Sequence, residues 1–261
     1  MRHAFVIPAY RQSPYLEACI ESLRTQDETS ELVITTATPS AFLHEVARRH
    51  DVPLIVGRHP PSIASDWNFA LAAPDAELVT LAHQDDLFDP AYGRLVKDAF
   101  LRQPGATLCF TGHREHTPDG PRPANVNLLV KRWLSRRAFG SDRLVYDQAR
   151  KRRLLKWGNP VCCPSVTFNR ALIPEFRFAA EFQINLDWDA WARLATADGG
   201  FLYLPQPLVS HRVHPGSETT AGIADQRRSV EDLAMLRRFW PPVAARCIHS
   251  VYRLSYRANR L

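Results

Sequence analysis

Two adjacent carboxylates, Asp85 and Asp86, stand where the apolar stretch Glu77 to Ala82 runs out. Neighbouring acids at the end of a buried strand are costly, because like charges repel and each loses hydration. A hard divalent cation offsets that cost, since Mg²⁺ and Mn²⁺ take oxygen ligands and often carry a substrate's phosphates. The carboxyl end of a strand in an open α/β sheet is also where ligands bind. A structural alternative stays open: Asp86 and Asp89 can cap a helix whose first residue is Pro90. That alternative suits Asp89 and leaves Asp85 unexplained.

Positioning these acids requires a scaffold, and the hydropathy pattern supplies one. Strand Phe5–Pro8 leads into a helix over Pro14–Gln26, with Leu16, Cys19, Ile20 and Leu23 at helical spacing. Strand Glu31–Thr35, a helix near Ser40–His50, strand Pro53–Val56 and a helix over Asp66–Ala72 follow, before the strand that ends at Ala82. Helix Pro90–Arg102 and strand Thr107–Thr111 continue the alternation. Short apolar strands in repeated βα units imply an α/β fold, a mostly parallel sheet flanked by helices. After Gly112 the pattern breaks into a polar, proline-bearing loop and then a basic, helix-compatible stretch to residue 157. A strand returns near Val166–Phe168, a helix spans Asp187–Thr196, and short strands Phe201–Leu204 and Leu208–Arg212 precede a final helical region from about Ala224. The expected organisation is a main domain over 1–221, with 113–157 as a basic insertion. A basic helical tail over 222–261 packs on the same domain.

Composition excludes several classes. The 261 residues are 45% hydrophobic and 23% charged, ordinary for a globular protein, and no apolar run approaches the ~20 residues a membrane span needs. The amino terminus enters a strand at Ala4–Ile7, leaving no room for a signal peptide. Five cysteines without Cys-x-x-Cys spacing argue for a reducing compartment and against zinc. The first glycine is Gly57, so no glycine-rich phosphate loop follows the first strand, and a Gly-x-Ser-x-Gly elbow is absent. Net charge is +6, unevenly spread: Lys131 to Lys156 holds ten Lys or Arg against Asp142 and Asp147. The tail from Trp240 adds Arg246, Arg253, Arg257 and Arg260 without an acid. Such excess implies an anionic partner, whether membrane surface, phosphate-bearing substrate or nucleic acid.

Val6-Ile7-Pro8-Ala9-Tyr10 followed by Tyr15 to Gln26 resembles the opening of family-2 glycosyltransferases, inverting nucleotide-sugar enzymes of A-type fold. The resemblance continues through Trp67-Asn68-Phe69-Ala70-Leu71, His83-Gln84-Asp85-Asp86, Asn159 to Ser165, Leu186 to Leu194 and His211 to Ser217. It implies that Asp85 is the metal-binding aspartate of an Asp-x-Asp type motif, with His83 in place of the first acid. His214 matches a histidine that faces the metal or diphosphate in relatives, the alternative being an exposed turn histidine. Pro8, Tyr10, Asn68, His83 and Gln84 fall on the donor-binding side. Asp187 matches the general base, where relatives carry Glu-Asp and this chain has Leu186-Asp187. An N-cap is its structural alternative, and Asp189 reads as structural. Where relatives place an acid for the nucleoside, this chain reads Thr35-Thr36-Ala37-Thr38, so Thr36 and Thr38 become the substitutes and uracil recognition does not carry over.

The expectation is an inverting, metal-assisted (Mn²⁺ or Mg²⁺) transfer of a sugar from a nucleotide-diphosphate donor to a hydroxyl of a glycan or lipid-linked glycan of the bacterial-surface type, lipopolysaccharide or capsule. The enzyme is expected to be cytoplasmic and peripheral on an anionic inner membrane face. Lys131 to Arg137, Gln148 to Trp157, and Trp240, Ile248, Val251 and Tyr252 are the surfaces expected to engage lipid. The alternative is a non-catalytic relative or a basic anion-binding module; no nucleic-acid motif accompanies the basic stretch.

Overall fold

Ala4, Phe5, Val6 and Ile7 are apolar at every position because strand β1 (His3–Pro8) is covered on both faces. Ala4 and Val6 join one core cluster, Phe5 and Ile7 the other. The computed structural model describes residues 1–117, 120–217, 220, 222, 223 and 225–259. After β1 come α1 (Leu16–Arg24), β2 (Glu31–Thr36), α2 (Ala41–Arg49), β3 (Leu54–Val56), α3 (Ile63–Ala72) and β4 (Leu78–Leu81). Next are β5 (Leu87–Phe88), α4 (Tyr92–Arg102), β6 (Ala106–Thr117), β7 (Gly120–Arg122), α5 (Val126–Phe139), β8 (Leu144–Val145) and α6 (Gln148–Leu155). A 3₁₀ turn (Cys163–Ser165), β9 (Val166–Asn169), α7 (Leu186–Leu194), β10 (Gly200–Arg212), α8 (Arg227–Arg237), α9 (Pro242–Tyr252) and a second 3₁₀ segment (Arg253–Asn259) complete the chain.

The sheet runs β3-β2-β1-β4-β9-β6-β10-β5, with β7 on β6 and β8 on β10. The first four strands are parallel, as are β6 and β10, while β9 lies antiparallel between the two groups. The chain moves from β1 outward to β3 and then returns to β1's other side as β4. This switch opens a crevice at the carboxyl ends of β1 and β4, where the Tyr10 and Asp85 loops lie.

Four local expectations needed correction. No helix follows Asp86 directly: β5 intervenes and pairs with Val209–Ser210, and α4 starts at Tyr92. Strand β6 does not stop at Thr111 but runs to Thr117, because its polar end pairs with both β7 and β10. Gly112 permits that pairing; a Cβ there would lie 2.6 Å from the Pro205 carbonyl oxygen. The two short strands near the end are one, β10; two of its three register shifts flank Pro207, since proline cannot donate to the ladder, and the third lies at Gly200–Phe201. Helix α7 ends at Leu194, before Thr196. The expected helix start at Ala224 lies outside the described residues.

The tail helices enter the main core through Met235, Leu236 and Ala245. Two of the basic side chains are engaged internally. Lys151 is buried, and its ammonium donates to the carbonyls of Ala197 (2.8 Å) and Gly199 (2.9 Å), closing the end of α7. Arg150 pairs with Asp142 (2.7 Å) and caps α5 through the Ala138 and Phe139 carbonyls. No helix among the described residues is long and apolar enough to cross a membrane.

Candidate active site

The loop after β4 carries His83, Gln84, Asp85 and Asp86. Asp86 is fully buried and faces β10: its carboxylate accepts from the Arg212 N–H (2.7 Å) and from His211 Nδ1 (3.1 Å). It caps no helix. Asp89 holds the turn before α4, accepting from the Ala91 N–H through Oδ1 (3.1 Å), while Ala91 itself takes the N-cap position without a side-chain cap. Asp85 has one side-chain partner, His214 Nε2 at 3.0 Å, while its carbonyl accepts from Arg212 Nε at 2.8 Å. His214 is not an exposed turn histidine, since its ring lies between Asp85 and Tyr15, 4.9 Å from the Tyr15 ring.

His83 packs against Trp67 with ring centroids 4.9 Å apart, and its buried Nε2 has no hydrogen-bond partner among the described residues. Burial lowers its pKa despite the nearby acids, so the ring is neutral and offers a lone pair. One ligand atom from each of His83, Asp85 and Asp86 lies within 4.8 Å of the others. An orphaned imidazole nitrogen beside two carboxylates, with His214 on the outer one, fits a divalent cation of borderline character such as Mn²⁺. Burial alone would raise the Asp85 carboxyl, but the His214 hydrogen bond and the surrounding histidines hold it below the ordinary carboxylate value.

The other crevice residues divide by how their polar atoms are engaged. Gln84 and Tyr10 brace the two loops through a reciprocal pair of bonds, Tyr10 N–H to Oε1 and Nε2 to the Tyr10 carbonyl, both 3.2 Å. Thr36, at the end of β2, accepts from the Thr38 N–H (3.0 Å), and Pro8 ends β1 alongside. Asn68 is not brought to the crevice as a free group. Both ends of its amide bond the Phe178 main chain (2.9 and 2.7 Å), and it lines a separate cleft with Arg170 by the amino end of β4.

Asp187 sits at the start of α7 but is not its cap, because Asn185 holds that position. Its carboxylate accepts from the Trp188 N–H (2.7 Å) and from Asn159 Nδ2 (2.8 Å). Burial pushes the carboxyl up to about 6, against the pull of the Trp188 N–H and the charges of Arg228 and Lys131. Asp189, two residues on, is buried and paired with Arg193 (2.9 Å) and Arg238. The loop before α7 is fixed by the tail. The Glu231 carboxylate accepts three successive N–H groups from Gln183, Ile184 and Asn185 at 2.8–2.9 Å, and Asp232 accepts from Asn185 Nδ2 at 2.7 Å. Gly158 lets α9 reach the Asn159 turn: its φ is +150°, and a Cβ there would meet the Tyr252 ring at 2.5 Å.

The buried Cys162 and Cys163 feel the charges of both Asp86 and Asp187, so the loop after β4 and the start of α7 both lie near this turn. His211, Arg212, Asn159 and Glu231 were not singled out from the sequence as site residues. The first three lie inside stretches quoted for their family resemblance, and that was the available signal. Glu231 carried none.

A glycosyl transferase family 2 model matches residues 4–173. The chain belongs to that family. Among solved structures it is similar to a mannosyltransferase from Pyrobaculum calidifontis in complex with GDP-Man and Mn²⁺, at TM-score 0.64 and 17% identity over 95% of this chain and 68% of that one. It is also similar to S. aureus TarS 1–349 (TM-score 0.63, 13% identity, 95% and 69% covered). A third is glucosyl-3-phosphoglycerate synthase from Mycobacterium tuberculosis with Mn²⁺, UDP and glucosyl-3-phosphoglycerate (TM-score 0.57, 16% identity, 90% and 80% covered). No curated protein sequence matches. At these identities the structures establish the shared fold. The family establishes a glycosyltransferase, and two of these neighbours hold Mn²⁺.

Proposed function

We propose that this glycosyltransferase moves a sugar, with inversion, from a nucleoside diphosphate to a hydroxyl of a surface-glycan acceptor, lipid-linked and presented at the cytoplasmic face of the membrane. The observation that carries this reading is the contrast between the surroundings of two acids, Asp85 and Asp187. Asp85 is held ionised beside an unpartnered imidazole nitrogen, while Asp187 has a carboxyl raised to about 6. A divalent cation held by Asp85, His214 and His83 would neutralise charge on the departing diphosphate. Asp187 takes the acceptor's proton. Its pKa near the working pH makes it both available as a base and strong enough to act. Asn159 and the Trp188 N–H fix the carboxylate, so a lone pair keeps one orientation. One base suffices, because the hydroxyl attacks from the face opposite the leaving group. On the donor side, Pro8, Tyr10 and Thr36 border the nucleoside, with the Thr36 and Thr38 hydroxyls in place of a carboxylate.

A panel of nucleoside diphosphates with and without Mn²⁺, read by thermal shift, tests the reading. One nucleotide should stabilise the protein only with metal. Stabilisation by any polyanion without metal would refute it in favour of an anion-binding module.

A further inference from the structure

A helix packed on a core normally turns a polar face to solvent. Helix α5 does not. Leu128, Leu134, Ala138 and Phe139 face the core, and the opposite stripe is apolar for two turns: Val126 (74% exposed), Leu129 (53%), Val130 (48%) and Trp133 (55%). Arg136 and Arg137 continue the stripe, and the Arg137 guanidinium lies 5.6 Å from the Trp133 ring centroid. From Gly120 to Gly140 there is no acid. The second 3₁₀ segment lies alongside, since Asn127 Nδ2 donates to the Ser255 carbonyl (2.7 Å) and neighbouring Leu254 is 57% exposed.

The other basic surfaces expose apolar side chains without a continuous stripe: Trp157 (41%) after α6, and Val243 and Val251 (68% each) on α9. In α6, Leu154 and Leu155 are buried, and Trp157 and Trp240 pack on each other at 4.6 Å. Ile248 packs against the core. The inner flank of α5 reaches the site: Arg132 donates to the His113 carbonyl (3.4 Å), and His113 pairs with Val209 on β10, the strand that carries His211 and Arg212. One helix thus joins an exposed apolar, basic face to the active-site mouth.

We propose that the outer face of α5 docks on an anionic lipid surface and holds the cleft mouth against it, so that the acceptor is taken from the membrane. The inference rests on the proposed transferase function and names the surface that serves it. Aliphatic side chains enter the acyl boundary, tryptophan suits the headgroup level, and arginines meet lipid phosphates. Nucleic acid would use the arginines and tryptophan but has no use for Val126, Leu129 and Val130. A second copy paired face to face would bring Arg136 and Arg137 against their equivalents without an intervening acid.

Vesicle co-sedimentation of the full chain tests this. The protein should pellet with phosphatidylglycerol-containing vesicles, remain free with phosphatidylcholine, and be released by salt. Leu129→Gln combined with Trp133→Gln should weaken partitioning by about tenfold or more. Arg152→Gln with Arg153→Gln, on α6, should change it far less. Val130→Asp alone gives a second reading should the double variant fail to fold. Unchanged binding in the α5 variants, or equal loss in the α6 variant, would overturn the proposal. So would a dimer that the α5 changes dissociate, or binding of an oligonucleotide in place of vesicles. The metal-dependent nucleotide shift, measured on the same variants, should persist. Vesicle binding without that shift would leave the docking face standing and remove the transferase reading.

Discussion

Two close acid pairs, Asp85-Asp86 and Asp187-x-Asp189, belong to the candidate site, and each divides its labour the same way. In each, one acid is buried with its oxygens engaged by the protein: Asp86 by Arg212 and His211, Asp189 by Arg193 and Arg238. The other lies on the cleft. The pairs differ in what surrounds the cleft-side acid. Histidines hold Asp85 ionised, as a cation ligand must be, whereas burial with few compensating charges raises Asp187 towards a proton acceptor's range. Under the proposed function, two chemically identical groups take two roles from their surroundings alone.

The sharpest way to break this comparison is to neutralise each cleft-side acid. Asp187→Asn keeps shape and should lower kcat by about 10² to 10⁴ with metal-dependent nucleotide binding intact. Asp85→Ala should instead remove that binding while leaving denaturant stability within about 1 kcal/mol of the parent. Exchanged phenotypes would reverse the assignments.

The buried partner should show the opposite balance. Asp86→Ala leaves a buried N–H and a histidine without their acceptor, and should cost about 3 kcal/mol in chemical denaturation. Asp89→Ala, which removes only a turn cap, should cost about 1 kcal/mol and spare turnover.

A smaller effect is expected from the tail. Glu231→Gln weakens the three-fold grip on residues 183–185. It should lower kcat by about tenfold through misplacement of Asp187, with nucleotide affinity preserved. A change in nucleotide affinity alone would show that the tail serves the donor instead.

The pH dependence sharpens the comparison further. Activity should rise with pH through an apparent pKa near 6, the ionisation of Asp187. Asn159→Ala removes a donor to the charged carboxylate, so the limb should move to higher pH. The folded-state pKa lies above the ordinary 3.8, so the stability this group contributes is present below that value and lost as pH rises through about 6. Asp187→Asn should therefore gain stability on the parent over that window, measured by denaturation at pH 4 and pH 7.

Local pattern carried the first half of the fold further than the second. The unbroken apolar run of β1 and the spacing of Leu16, Cys19, Ile20 and Leu23 in α1 read correctly because each is one element meeting one core. The polar end of β6 misled because His113–His116 pairs with β10 and Glu115–Thr117 with β7, and neither pairing leaves a local mark.

The sequence alone determined that acids would close a strand in an α/β sheet and that a second acid would open a late helix. It also carried a family resemblance that the family model bears out. Which acid in the first pair faces the cleft, and which nitrogen stands free beside it, only the tertiary structure decided. Arg212 reaches Asp86 across 126 residues, His214 reaches Asp85 across 129, and Asn159 reaches Asp187 across 28. A carboxylate's charge state depends on burial and on donors within a few ångströms, and those neighbours exist only once distant segments of the chain have packed together.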